Sequence, residues 1–160
     1  MKMPRLTVLP QLAAIALLIP ACQSSSPADS ETHPAGTNVL SAAEQERALK
    51  STVDFSHHVK PILETRCVMC HNQDALPGRM NLTNRATAVR TGALGSFIIP
   101  GHPEQSHFVT RIGSSPGHLK SMPPAGQRIT KDDVAVLQRW IAQGAPWPAG
   151  SAGALRAGPF

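Results

Sequence analysis

Aromatic side chains make up only 4% of this 160-residue chain, and tyrosine is absent. Charged residues are also sparse, at 16%, and no run of Lys or Arg forms a stripe with aromatic residues between its members. A nucleic-acid-binding face needs clustered basic groups and stacking rings, so that class is excluded. The apolar stretch Leu12 to Ala21 covers ten residues, whereas a membrane-spanning helix needs about 20. No segment repeats, which excludes a solenoid or propeller. Cysteine occurs only three times, as Cys22, Cys67 and Cys70. An odd number in an exported chain leaves one thiol to explain.

What is present points to one modest domain with tails. A hydrophobic content of 41% supplies one core but not two. A body of about 100 residues buries a limited share of its surface and gains from an additional staple, such as a buried cofactor.

The N-terminus reads as an address. Met1 to Arg5 is short and positive, and the apolar run behind it suits the central region of a secretory signal over residues 1–21. Ile19-Pro20-Ala21-Cys22 resembles a bacterial lipobox, although Pro20 stands where a smaller residue is usual. Cys22 is therefore expected to carry lipid, the competing reading being a plain secretory signal that leaves Cys22 as a stray thiol. Several acyl chains on one cysteine anchor firmly, where a single chain is marginal. Gln23 in place of Asp resembles the default signal for the outer membrane. The expected location is thus the cell envelope, with the chain tethered to a membrane and facing the periplasm or the cell surface. Of the 15 basic residues, Lys2 and Arg5 leave with the signal, so 13 remain against 10 acidic ones, a net charge of +3. A weakly basic rim of this kind suits the steering of an acidic partner.

Residues 22–51 have tether composition, polar and rich in Ser, Pro and small residues. A weak helix fits Val39 to Lys50, but its apolar positions are mostly Ala and predict little core. Residues 52–147 form the expected domain. Residues 148–160 are again Pro, Gly and Ala and read as a disordered tail.

Cys67-Val68-Met69-Cys70-His71 carries the chemistry. On a helix, positions i, i+3 and i+4 share one face, so both thiols and the imidazole point the same way. Two thiols at this spacing add to the two vinyl groups of one haem, and the following His supplies the proximal nitrogen. Export agrees, because c-type haem is attached outside the bacterial cytoplasm. Two propionates would also offset most of the remaining positive charge. Two other readings use the same cysteines. A thiol–disulfide site normally opens a helix within a βαβ pattern, and no convincing strands flank this one. A zinc site can be written with His102 and His107, but about 30 residues separate the two pairs, where fingers use roughly 12 to 15.

The sixth iron position has several candidates. Met122 lies in Ser121-Met122-Pro123-Pro124, where the prolines stiffen a strap able to hold a thioether at one place. A Met ligand raises the reduction potential. Met80 lacks such a strap, Met69 lies between the cysteines, His118 is the best histidine competitor, and an open position is the remaining option. His57, His58, His102 and His107 are weaker. Arg79 and Arg85 read equally well as propionate partners or as solvated charges.

Helical periodicity surrounds the motif. Phe55, Val59, Ile62 and Leu63 precede it, with Pro61 tolerable if the helix starts near His58. Thr83 is a candidate N-cap for a helix through Val89 that Gly92 stops. Pro103 suits the first turn of a helix with Phe108, Val109 and Ile112 inward. Thr130 and Asp133 resemble a capping box ahead of Val134, Leu137, Trp140 and Ile141, with Gly144 as the stop.

This order of elements resembles class I cytochrome c, and residues 53–147 resemble the planctomycete-type cytochrome c domain more closely. The matching stretches are Val53 to Ser56, Val59 to Leu63, Cys67 to His71, Arg79 to Leu82, Ile99 to Ser106, Met122 to Pro124 and Leu137 to Ala145. The resemblance implies an all-α fold wrapped around one covalent haem c. It also implies Cys67 and Cys70 as thioether sites, His71 as proximal ligand and Met122 as distal ligand. Family members often join this domain to enzymatic or structural neighbours. The function expected is single-electron transfer with a dehydrogenase or oxidase of the envelope, not catalysis. Two alternatives are a haem-stapled structural or sensing module, and a haem enzyme or small-ligand binder with a displaceable sixth ligand.

Overall fold

The computed structural model describes residues 36–75, 77–114, 120–124 and 128–157. Among them the fold is all-α: five helices and three tighter or wider turns, with no strand beyond a single bridge between Leu94 and Ile98. The helices are α1 (Ala42–Lys50), α2 (Lys60–Arg66), α3 (Arg85–Arg90), α4 (His107–Gly113) and α5 (Lys131–Ala142).

Folding begins earlier than the tether composition predicts. Ser41 caps α1 by accepting from the Glu44 amide while the Glu44 carboxylate accepts from the Ser41 amide. Leu40 and Ala48 are buried in the core. The extension of the flexible tether to residue 51 is therefore corrected, since its last part packs on α5. The anchor is partly polar: Asp133, wholly buried, accepts from the Val39 amide at 3.0 Å and from Gln45 Nε2 at 3.2 Å. The expected signal peptide, Cys22 and His118 lie outside the described residues.

A π-helical turn over Phe55–Val59 runs directly into α2. Asp54 caps this turn by accepting from the His57 amide at 2.8 Å. Pro61 then falls in the first turn of α2, where its missing N–H costs nothing. The wide turn buries Phe55, His58 and Val59, and α2 buries Ile62 and Leu63.

Two helix starts shift from the predicted positions for local reasons. Asn84, not Thr83, caps α3: its Oδ1 accepts from the Thr87 amide at 2.9 Å while Thr87 Oγ1 accepts from the Asn84 amide, and the Thr83 hydroxyl donates to Asn81 Oδ1 at 2.6 Å. Helix α4 begins at His107 and not at Pro103. The intervening segment closes on Ser106, whose buried hydroxyl accepts from the Ile99 amide and donates to the His102 carbonyl.

Helix α5 follows the predicted stripe, with Val136, Leu137, Trp140 and Ile141 buried and Val134 only half-buried. Thr130 caps it at 3.1 Å, but Asp133 turns inward to the α1 segment and does not complete a capping box. Gly144, at φ +90°, lets the chain turn back against the helix.

The expected disordered tail is a second correction. Trp147 stacks at 5.1 Å from Phe55 and donates its indole N–H to the Gly153 carbonyl at 2.8 Å. Leu155 is buried, and its amide donates to the Thr83 carbonyl at 2.7 Å. The Arg156 amide donates to Glu64 Oε1 at 2.9 Å. The described tail thus closes the back of the core formed by Phe55, Trp140 and Trp147.

Candidate cofactor site

On the other side of α2 lies a cleft of about 270 Å³. Cys67, Cys70, His71 and Met122 all line it, with Leu82, Phe97, Phe108, Ile112 and Ile129 among its apolar walls. Residues 55 apart in sequence, Cys67 and Met122, are thereby brought to one cavity.

The C-x-x-C-H motif sits just past the end of α2, not on the helix itself. Cys67 is the C-cap, and residues 67–70 form turns. The Cys67 carbonyl accepts from both the Cys70 amide (3.1 Å) and the His71 amide (2.9 Å), which preserves a helix-like loop and hence the shared direction of the three side chains. Asn72 secures the exit of this loop. Its amide donates to the Val68 and Met69 carbonyls, and its oxygen accepts from the Asp74 and Ala75 amides. The His71 carbonyl is tied to the Leu82 amide at 2.9 Å.

Electrostatics distinguish the groups. Burial pushes the Cys67 thiol up to about 12, so it stays protonated at neutral pH. A thiol held in that state is a poor nucleophile. Cys70 is exposed, as is Met69, so this rim of the cleft meets solvent. Burial also holds the His71 imidazole below its ordinary value, with the Met80 backbone acting in the opposite sense. His71 Nδ1 is buried without a hydrogen-bond partner. A neutral ring is the form that binds a metal.

The zinc reading loses its ligand set. His102 lies beside Glu104 and Gln105, and His107 packs 6.4 Å from the Phe97 ring. Among the described residues, no three His, Cys, Asp or Glu side chains converge to hold a metal ion. His57 is exposed, and His58 Nδ1 accepts from the Asp54 amide. Met80, the weaker sulfur candidate, also lines the cleft.

Arg79 and Arg85 do not line the cleft; both are exposed, and Arg85 borders a separate groove. Arg66 and Arg111 line it instead. Sequence reasoning missed them because each sits on a helix, where the face it occupies depends on the fold.

The Met122 strap is tied down on both sides. The Met122 amide donates to the Arg111 carbonyl at 2.9 Å. Arg128 donates to Ser121 Oγ at 3.0 Å, to the Pro123 carbonyl at 3.2 Å and to the Ser114 carbonyl.

Residues 67–126 match the family model described as Planctomycete cytochrome C. That match supports a planctomycete-type cytochrome c domain over this stretch of the chain. No curated protein and no solved structure matches the chain. A cytochrome c domain implies haem c and suggests an electron carrier over a catalytic enzyme. The residues present fit that group: two thiols outside any disulfide, an unpartnered buried imidazole nitrogen, a thioether and an apolar cavity share one site.

Proposed function

We propose that this protein is a monohaem c-type cytochrome that passes single electrons within the cell envelope, tethered to a membrane by lipid on Cys22. The observation that carries the reading is the convergence of Cys67, Cys70, His71 and Met122 on one apolar cleft.

Bound haem c supplies a reversible one-electron couple at its iron. The chain's own groups prepare the place for it. Cys67 and Cys70 would hold the group through two thioethers. His71, kept neutral by burial, offers a nitrogen lone pair. Met122 offers a soft sulfur that favours the reduced state. Arg66 and Arg111 supply positive charge suited to the propionates. Phe97, Phe108 and Ile112 exclude water, and a low local dielectric tunes the potential. Cys70 and Met69 mark the exposed rim at which a donor or acceptor of the envelope approaches.

A redox titration of the holoprotein tests the proposal. One reversible one-electron couple, with carbon monoxide failing to displace the sixth ligand of the folded ferrous form, is the expected outcome. The absence of any reversible couple contradicts it.

A further inference from the structure

A methionine on a loop is a useful iron ligand only if the loop holds it against the cavity, since a mobile thioether yields its place to any competing base. Residues 120–124 include no helix or strand of their own. Their attachment therefore depends on contacts made to other parts of the fold.

Arg111 holds one part of the strap, accepting from the Met122 amide through its carbonyl and donating to the Lys120 carbonyl, and one further side chain holds both flanks of Met122. Arg128 Nη1 donates to Ser121 Oγ at 3.0 Å and to the Pro123 carbonyl at 3.2 Å, the residues on either side of Met122. Its Nη2 donates to the Ser114 carbonyl, at the end of α4. One guanidinium thus joins both flanks of the strap to a helix whose Phe108, Arg111 and Ile112 line the cleft. The planar fork offers several donors in fixed directions, which a lysine ammonium cannot reproduce. Ser121 is itself buried. The backbone of Arg128 is held as well: a Cβ at Gly36 would lie 1.7 Å from the Arg128 carbonyl oxygen, so the segment just ahead of α1 rests directly on it.

We propose that Arg128 is the positioning residue for the sixth ligand, setting how firmly the Met122 thioether is presented to the cleft and how readily an external base replaces it. This rests on the reading of Met122 as the distal ligand. Arg128 need not touch the cofactor, and it is absent from the lining of the cleft. It acts through the strap.

The test uses the full-length holoprotein and two readouts. These are the weak sulfur-to-iron absorption band of the ferric form and the affinity of the ferric form for imidazole. Arg128→Lys is expected to keep its covalent haem and helical content, to weaken the band, and to bind imidazole on the order of tenfold more tightly, because a smaller share of molecules has the thioether in place. Ser121→Ala, which removes one acceptor and leaves the arginine intact, moves both readouts the same way by less, and it serves if the arginine variant does not fold. In a Met122→Ala background, Arg128→Lys should change imidazole affinity by less than about twofold, since there is no longer a thioether to hold. A band and an imidazole affinity unchanged by Arg128→Lys and Ser121→Ala, in a protein that shows the band before substitution, would overturn the proposal. So would an equal change in the Met122→Ala background, which would mean that Arg128 acts on the cleft generally. If the unsubstituted protein shows no band, the Met122 reading fails first and takes this one with it.

Discussion

Gln45 Nε2 donates to Asp133 Oδ1 at 3.2 Å, joining α1 to α5 across 88 residues of sequence, with both side chains buried. The second carboxylate oxygen accepts from the Val39 amide. A wholly buried acidic side chain is tolerable because both oxygens are satisfied. The segment ahead of the haem motif is in this way part of the folded body.

Asp133→Ala leaves the Val39 N–H and the Gln45 amide facing each other with nothing to accept from them. Unsatisfied buried donors cost about 1–3 kcal/mol each set. Urea unfolding should therefore show a loss of about 2–4 kcal/mol, while Thr130→Ala, which removes only the cap of the same helix, loses about 1 kcal/mol. Equal, small effects would mean that the α1 segment contributes nothing to the fold.

The C-terminal segment gives a second prediction. Ending the chain at Pro148 removes Leu155 from the core, the acceptor of the Trp147 indole, and the amide donors to the Thr83 carbonyl and the Glu64 carboxylate. Burying one leucine contributes about 1.5–3 kcal/mol, so the thermal midpoint should fall clearly. Gly153→Ala should act in the same direction, because its Cβ would meet the Pro148 carbonyl oxygen at 1.8 Å. A shortened protein with an unchanged midpoint would restore the reading of residues 148–157 as a loose tail.

Acid should act on the α1 cap in a defined direction. Hydrogen bonds from the Ser41 hydroxyl and amide hold the Glu44 carboxyl below its ordinary value of 4.5. A carboxyl depressed on folding contributes stability that is complete above the unfolded value and fades as the pH falls through the folded one. The stability gap between the unsubstituted protein and Glu44→Gln, followed by urea unfolding at several pH values, should therefore narrow below about pH 4.5. A gap that is the same at pH 3.5 and pH 7 would show that the carboxylate does not cap the helix.

Local patterns carried much of this structure in readable form. The 3.6-residue stripe of α5 depends on neighbours in sequence and is where the pattern puts it, whereas the C-x-x-C-H motif, read as helical, lies in the turns just past α2, and Met122 shares one cleft with it. The all-α class that the resemblance implies agrees with the helices found among the described residues. The segments read as tether and tail were misjudged because Ser, Pro, Gly and Ala carry little periodicity. Their docking depends on a few residues, Leu40, Ala48 and Leu155, and on backbone hydrogen bonds to distant partners. The arginines were illegible for a related reason. Arg66, Arg111 and Arg128 differ from the exposed Arg79 and Arg85 only in what the fold brings beside them. Asn72 had a local signal, since a side chain of its type closes turns two or three residues on.

The central claim is that Cys67 and Cys70 bind one haem c covalently and that His71 and Met122 ligate its iron. Acid–acetone extraction of the protein expressed where c-type haem is matured, with absorption spectra recorded before and after, tests it most directly. The account predicts haem that stays with the unsubstituted chain, is released once both cysteines are replaced by alanine, and shows a sulfur-to-iron band that Met122→Ala abolishes. A chain that retains no haem would contradict the account and return the two cysteines to other chemistry.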